Sequence, residues 1–245
     1  MSKTINILVT GENRDLEQLI PEESLDPDVS VKWVQWPVLE FKKLEIAKDL
    51  LARVVEKPFE WILFTSPRAV HFWTESMVAA GLEFPLETQV ACIGESTSET
   101  ATGDGYTSDF YPTEPGSEKF LEEFEELLSN NTQKPSLLIP IAEGGRLKIA
   151  ERLSELGCAV TVVPLYRTQS RAGLATSIPG GGFKDISIVV FTSPSSVDAV
   201  LNCVSLPKET QVVAIGNFTM EHLKKRGIES KLLPGSSFER IGEIL

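Results

Sequence analysis

The sequence predicts an α/β protein of two doubly wound parallel-sheet domains of similar fold, one of them discontinuous, joined by a two-stranded hinge. Three observations predict it. One phrase occurs twice: Glu60-Trp-Ile-Leu-Phe-Thr-Ser-Pro-Arg-Ala-Val70 is echoed by Ser187-Ile-Val-Val-Phe-Thr-Ser-Pro-Ser-Ser-Val197, and each copy is followed by a matched second phrase, Thr88-Gln-Val-Ala-Cys-Ile-Gly94 and Thr210-Gln-Val-Val-Ala-Ile-Gly216. Short β-rich runs alternate with helix-like stretches along the chain, the pattern of parallel strands covered on both faces. The first copy has strands before and after it between about Pro37 and Arg167, whereas the second lacks opening strands unless it borrows them from residues 1 to 36. Residues 1–36 and 169–245 are therefore expected to form the discontinuous domain, with 37–168 inserted. The crossings at Trp36-Pro37-Val38 and Leu165-Tyr166-Arg167-Thr168 would make the hinge, with a ligand cleft between the domains.

The elements follow in order. Ile5 to Thr10 reads as a strand, Asn13 to Ile20 as a short helix, and Val29 to Trp36 as a strand closed by Pro37. Lys42 to Val55 carries apolar residues at helical spacing. Trp61 to Thr65 reads as a buried strand. Arg68 to Gly81 reads as a helix opened by Ser66-Pro67, a cap residue and then the proline favoured at the first helical position. Strand Gln89 to Gly94 and helices from Thr97 and Ser117 precede strand Ser136 to Ile141. Helix Arg146 to Leu156 stops at Gly157, and strand Ala159 to Tyr166 completes the copy. Gly173 to Phe183, with three consecutive glycines, reads as a surface loop. The second copy runs from strand Ile186–Phe191 through helix Ser195–Val204, strand Gln211–Ile215 and helix Thr219–Arg226 to a short run near Lys231 and a last helix from Ser237.

Composition narrows the function. The chain has 245 residues, of which 42% are hydrophobic, and a formal net charge of -12. A nucleic-acid binder would show a basic stripe, so no nucleic-acid partner is expected. An anionic ligand must be held by local donors. No run approaches the ~18 apolar residues of a membrane span, and the opening residues are too short for a signal-peptide core, so a cytoplasmic location without membrane contact is expected. Three dispersed cysteines and two histidines fit neither a disulfide framework nor a metal site. Neither a Ser/His/Asp set nor a carboxylate pair stands out.

The chemistry is expected where strands end. Phe-Thr-Ser-Pro and Ile-Gly each close a hydrophobic strand at a helix start, and a helix N-terminus offers unpaired N–H groups and a partial positive charge. Ligands of open α/β sheets sit beyond the carboxyl ends of the strands. Ser66, Thr97, Ser193 and Thr219 mark four such turns. Taken alone, each is read most simply as a helix cap; capping does not require the same phrase twice. Glu143-Gly-Gly-Arg146 is a glycine turn whose guanidinium could clamp an anion with nearby backbone N–H groups. Tyr166, at a strand end in the expected hinge, is a candidate proton donor, although packing is the commoner role of such a ring. Arg68, Arg167 and Arg171 are further carboxylate partners or plain surface charges.

In sequence order, the Phe-Thr-Ser-Pro-Arg-Ala-Val phrase, Ile93-Gly94 with Thr97, Pro112 to Leu121 with Ser117, the turn to Arg146, Leu156-Gly157 with Val163-Pro-Leu-Tyr-Arg-Thr168, and the second Phe-Thr-Ser with Gly216 and Thr219 resemble the uroporphyrinogen-III synthase family. The resemblance covers nearly the whole chain. It implies a monomeric, cofactor-independent lyase that closes the linear tetrapyrrole hydroxymethylbilane into uroporphyrinogen III. Ring D is inverted through a spiro intermediate and water is lost. By the same resemblance Tyr166 would be the catalytic acid, Ser66, Thr97, Ser117, Arg146, Ser193 and Thr219 would bind the eight substrate carboxylates, and a transient contact with hydroxymethylbilane synthase is admitted. Hydroxymethylbilane closes spontaneously to the type I isomer without inversion, so the enzyme's task is chiefly orientation. The chain departs from bacterial relatives at Thr10-Gly11-Glu12, where they usually carry Thr-Arg-Pro. The rival readings are a two-domain sugar-nucleotide transferase, disfavoured by length and the lack of a diphosphate signature, and a non-catalytic tetrapyrrole-sensing module.

Overall fold

The computed structural model describes residues 3–11, 16, 28–56, 59–85, 87–114, 116–129, 133–145 and 147–245. The chain divides into two compact units, Met1–Glu40 with Thr168–Leu245, and Phe41–Arg167.

The continuous unit is built on β3 (Leu39–Lys43), β4 (Trp61–Phe64), β5 (Gln89–Cys92), β6 (Ser136–Ala142) and β7 (Ala159–Ser170), in the order β3-β7-β6-β4-β5. β4 lies parallel to β5 and β6, and β6 parallel to β7. At the edge, Leu44 N–H donates to Leu165 C=O at 2.8 Å and Arg171 N–H to Val38 C=O at 3.0 Å, the register of an antiparallel ladder between β3 and β7. The units part inside these two strands.

Trp-Ile-Leu-Phe reads as a continuous apolar run because β4 is buried on both faces. Ile62 and Phe64 point into one core with Trp73 and Met77 of α2 (Pro67–Ala80), Leu51 and Val54 of α1 (Lys48–Glu56) and Ala101 of α3 (Glu95–Gly103). Trp61 and Leu63 point into the other, against Phe120, Phe124 and Leu128 of α4 (Ser117–Ser129) and Ile149 and Leu153 of α5 (Lys148–Glu155). Each fully buried aromatic or aliphatic side chain contributes about 1.5–3 kcal/mol, so this two-sided burial anchors β4 in the interior of the sheet.

The discontinuous unit repeats the plan. β1 (Lys3–Val9), β2 (Val29–Gln35), β8 (Ile188–Phe191), β9 (Gln211–Ala214) and β10 (Lys231–Leu232) are arranged β10-β9-β8-β1-β2, and every pair is parallel. α6 (Pro194–Leu201) and α7 (Asn217–Lys225) cover one face through Val197, Val200 and Leu223. Leu16, Leu233 and Ile241 pack on the other. The duplicated phrases thus occupy equivalent neighbouring strands, β4 beside β5 and β8 beside β9, with Phe64 opposite Cys92 and Phe191 opposite Ala214. The central strands and the helices between them are the parallel α/β architecture expected.

Four local expectations need correction or fall outside view. Lys42 and Lys43 end a strand, and α1 begins only at Lys48, because pairing with β7 overrides the helical spacing of Leu44 and Ala47. Gly173 to Phe183 is not simply a surface loop. It holds two 3-10 turns, and Leu174 and Phe183 are buried with Trp36, whose ring meets Phe183 edge-on at 5.9 Å. The last helix is 3-10 over Phe238–Ile244. The expected helix Asn13 to Ile20 lies outside the described residues except for buried Leu16.

Candidate functional site

The duplicated strand ends start their helices in two chemically different ways. After β4, Ser66 is extended and its Oγ accepts the Ala69 N–H at 3.2 Å, with Pro67 opening α2. After β8, Ser193 does the same with Ser196 N–H at 3.1 Å, and Ser196 Oγ accepts the Ser193 N–H in return, completing a capping box. Thr10 joins this knot, its hydroxyl bonding Ser196 Oγ at 3.1 Å and accepting the Thr192 N–H at 3.2 Å. Both serines of the repeated phrase therefore have their oxygens engaged as caps. Gly11 belongs to the same corner: a Cβ there would stand 3.0 Å from Thr192 Oγ1, so glycine makes room for the threonine of the second phrase.

The glycine phrases behave otherwise. α3 starts at Gly94 and α7 at Gly216, and neither has a side-chain cap. The Gly94 carbonyl takes the N–H groups of Thr97 and Ser98, and the Gly216 carbonyl those of Thr219 and Met220. The amides of Glu95 and Ser96, and that of Asn217, lie in first turns without a side-chain cap, where donors are available to an anion. Thr97 and Thr219 are themselves buried, tucked under these turns.

In the continuous unit the Gly94 turn opens into a groove of about 850 Å³ lined by Gly94–Thr97, Tyr111–Thr113, Gly116 and Ser117. This brings two of the sequence-named residues together, Thr97 and Ser117, each at the start of a helix. The far wall is held rigidly. Phe110 packs edge-on to Phe120 at 5.6 Å, its carbonyl accepts the Cys92 N–H at 2.8 Å, and the Glu123 carboxylate accepts both the N–H and the hydroxyl of Thr113. These bonds hold the Glu123 carboxyl below its usual value. The Glu95 side chain stands exposed on the rim, so attraction for an anion comes from the backbone N–H groups and not from side-chain charge.

Tyr166 lies on β7 just past an irregularity where Ile141 opposes Pro164 but Ala142 opposes Tyr166. Its ring is 6% exposed, stacked on Phe72 of α2 at 4.9 Å and edge-on to Phe41 of β3 at 6.2 Å. The Arg68 guanidinium covers the Phe41 ring at 3.4 Å. No hydrogen bond among the described residues engages the Tyr166 hydroxyl. Its carbonyl accepts the Glu143 N–H at 2.7 Å, and Glu143 and Arg167 form a bidentate ion pair beside it. Gly144 has a φ of 68°, and a Cβ on Gly145 would sit 2.9 Å from the Ala142 carbonyl, so this turn is closed to side chains. Arg146, expected here as an anion clamp, lies outside the described residues. Ser66 caps the same helix that carries Phe72 and is not among the residues lining the Gly94 groove. Ser193 and Thr219 belong to the other unit.

Sequence reasoning passed over Ser96, Tyr111 and Thr113. The legible signal was the helix start with glycine and no Ser, Thr, Asp or Asn at the cap, which leaves its backbone donors without a side-chain acceptor.

A family model described as uroporphyrinogen-III synthase HemD matches residues 29–237. The chain belongs to the uroporphyrinogen-III synthase family. The fold agrees: uroporphyrinogen-III synthetase from Helicobacter pylori 26695 is 20% identical with a TM-score of 0.68, covering 98% of this chain and 97% of its own. A mutant uroporphyrinogen III synthase from the extremely thermophilic bacterium Thermus thermophilus is 16% identical with a TM-score of 0.62, covering 98% and 95%. A search of curated sequences gives no match. As a member of the uroporphyrinogen-III synthase family, the protein is a lyase of tetrapyrrole biosynthesis that converts hydroxymethylbilane to uroporphyrinogen III with inversion of ring D and loss of water. No helix among the described residues is long and apolar enough to cross a membrane.

Proposed function

We propose that carboxylates of hydroxymethylbilane are held mainly by backbone N–H groups at glycine-started helices, those of Glu95 and Ser96 at α3 and that of Asn217 at α7. The observation that carries this is the uncapped turn at Gly94, opening into a groove bounded by a second helix start at Ser117. On a chain of net charge -12, a substrate with eight carboxylates needs local donors, and oriented amides supply them without the mobility of a lysine. Thr97 and Thr219 then support the turns from beneath. Ser66 and Ser193 hold neighbouring helices in place and retain a hydroxyl hydrogen to donate. Ser117 adds a hydroxyl at the groove, and Arg146 a cation after the Gly144-Gly145 turn. The reading keeps a discontinuous domain of 1–36 with 169–245 and an inserted domain of 37–168, and the division of the chain within Leu39–Lys43 and Ala159–Ser170 supports it.

In this reading Tyr166 assists departure of the substrate hydroxyl. Its proton passes to the hydroxymethyl oxygen, the C–O bond breaks, water leaves, and the pyrrole nitrogen lone pair stabilises the resulting cation. Ring D attacks to give the spiro intermediate, reopens inverted, and closes the macrocycle; the proton lost when the pyrrole regains aromaticity restores the phenol. Free of hydrogen bonds among the described residues and fixed by ring packing, the Tyr166 hydroxyl suits a donor used only in the reaction. Orientation contributes more than acidity, since the uncatalysed closure already proceeds to the wrong isomer. The reading includes a monomer in the cytoplasm, without a resident cofactor. Supplying hydroxymethylbilane and separating the isomers tests it: type III product above the spontaneous type I background is expected, and type I alone would refute it.

A further inference from the structure

We propose that Tyr111 is a substrate-contact residue, its ring forming the face on which one pyrrole of the substrate stacks while a carboxylate of that pyrrole is held at the first turn of α3. The proposal rests on the functional reading above and names a side chain that reading does not use. The chain has three tyrosines. Tyr106 and Tyr166 are buried among other rings, whereas Tyr111 is 46% exposed. Its ring meets no other ring, and its hydroxyl makes no hydrogen bond, among the described residues.

This exposure is not the looseness of a flexible loop. The backbone before Tyr111 is held by Phe110, whose N–H donates to Val90 C=O at 3.2 Å, whose carbonyl takes the Cys92 N–H, and whose ring lies 5.1 Å from that of Phe124. After it, Pro112 is buried and Thr113 is clamped twice by Glu123. A large aromatic is thus presented to water from a backbone fixed on both sides, beside the uncapped amides of Glu95 and Ser96 in the same groove. A pyrrole bearing acetate and propionate has a flat electron-rich face and charged edges. A rigid aromatic wall next to anion donors matches both parts of it, and an aromatic with two side-chain torsions loses little entropy on contact. Holding the ring also fixes the conformation from which the chain closes, so Tyr111 acts on isomer choice as well as on affinity.

The test compares Tyr111→Ala and Tyr111→Phe with the wild type for KM, kcat, isomer ratio and thermal midpoint. Because the stack is made by the ring, Tyr111→Phe should restore most of what Tyr111→Ala loses, and a phenylalanine variant as impaired as the alanine one would overturn the stacking role. Tyr111→Ala should raise KM by about five- to tenfold, in keeping with a single aromatic contact, and raise the type I share, with its midpoint unchanged. A folded Tyr111→Ala protein with wild-type KM and isomer ratio would overturn the proposal. If the wild type itself yields only type I, the functional reading falls separately. Titration with uroporphyrin III then decides the contact alone: equal Kd for wild type and Tyr111→Ala overturns it, and binding about five- to tenfold weaker in the variant supports it.

Discussion

Removing only the hydroxyl of Tyr166 separates chemistry from packing at the residue where they are hardest to tell apart. The ring is buried, stacked on Phe72 at 4.9 Å and edge-on to Phe41 at 6.2 Å, and phenylalanine would keep both contacts. The hydroxyl has no hydrogen-bond partner among the described residues, so Tyr166→Phe should change folding stability by less than about 0.5 kcal/mol. Tyr166→Ala should cost about 3–5 kcal/mol, the loss expected for a vacated aromatic site in a core. For activity, a positioned acid is commonly worth a hundredfold or more, but the pyrrole lone pair already drives hydroxide departure. A fall in kcat of about ten- to a hundredfold is therefore expected, roughly 1.4–2.7 kcal/mol in the barrier, with KM within about twofold. Urea unfolding followed by tryptophan fluorescence gives the stability term, and timed isomer analysis with hydroxymethylbilane gives the rates. Unchanged kcat in Tyr166→Phe would remove the phenol from the mechanism. A loss above about 2 kcal/mol in that variant would show the hydroxyl to be structural and refute the reasoning from the other side.

The remaining predictions concern the walls of the site and the cores behind it. Gly145→Ala would place a Cβ 2.9 Å from the Ala142 carbonyl and 2.7 Å from the Ile141 side chain, so a loss of about 1–3 kcal/mol in urea unfolding is expected; an unchanged midpoint would mean the turn relaxes freely. The Glu123 carboxyl is held below its ordinary value by the Thr113 hydroxyl and N–H. Its contribution is therefore complete above the ordinary value and lost as pH falls through the lowered one. Protection of the Thr113 amide, taken relative to its intrinsic exchange rate at each pH, should fall on acidification through that range, and Glu123→Gln should show lower protection already at neutral pH; equal protection in variant and wild type at every pH would refute the clamp. Burial pushes the Cys92 thiol up to about 11, and Cys158 is also buried, whereas Cys203 is exposed. A thiol reagent at mildly alkaline pH should label Cys203 rapidly and the other two only on unfolding, as mass spectrometry of the peptides would report.

Much of the fold was legible because the signals were local and repeated. Trp61-Ile-Leu-Phe64 and Ile188-Val-Val-Phe191 are uninterrupted apolar runs, which only strands buried on both faces require, and Ser-Pro after each names the helix start. What escaped was set by pairing. Nothing in Leu39 to Lys43 distinguishes an edge strand from the start of a helix until β7 supplies the partner, and the helical spacing downstream pulls the reading the wrong way. Gly173 to Phe183 carries every mark of a surface loop, yet Leu174 and Phe183 fill a gap beside Trp36 that no local pattern reveals. At the site, Thr97 and Ser117 could be named from their phrases. The contrast between hydroxyl-capped starts at Ser66 and Ser193 and uncapped starts at Gly94 and Gly216 needed hydrogen bonds to be seen. Tyr111 was unmarked because exposure on a pinned loop leaves no trace in spacing.

Amide chemical shifts read one by one the groups that hold the substrate's carboxylates. Titrating isotopically labelled protein with uroporphyrin III should shift the Glu95 and Ser96 amide protons downfield, with Asn217 following, while the capped amides of Ala69 and Ser196 stay in place. Shifts confined to the capped turns, or absent from Glu95 and Ser96 at saturation, would contradict that role for these amides.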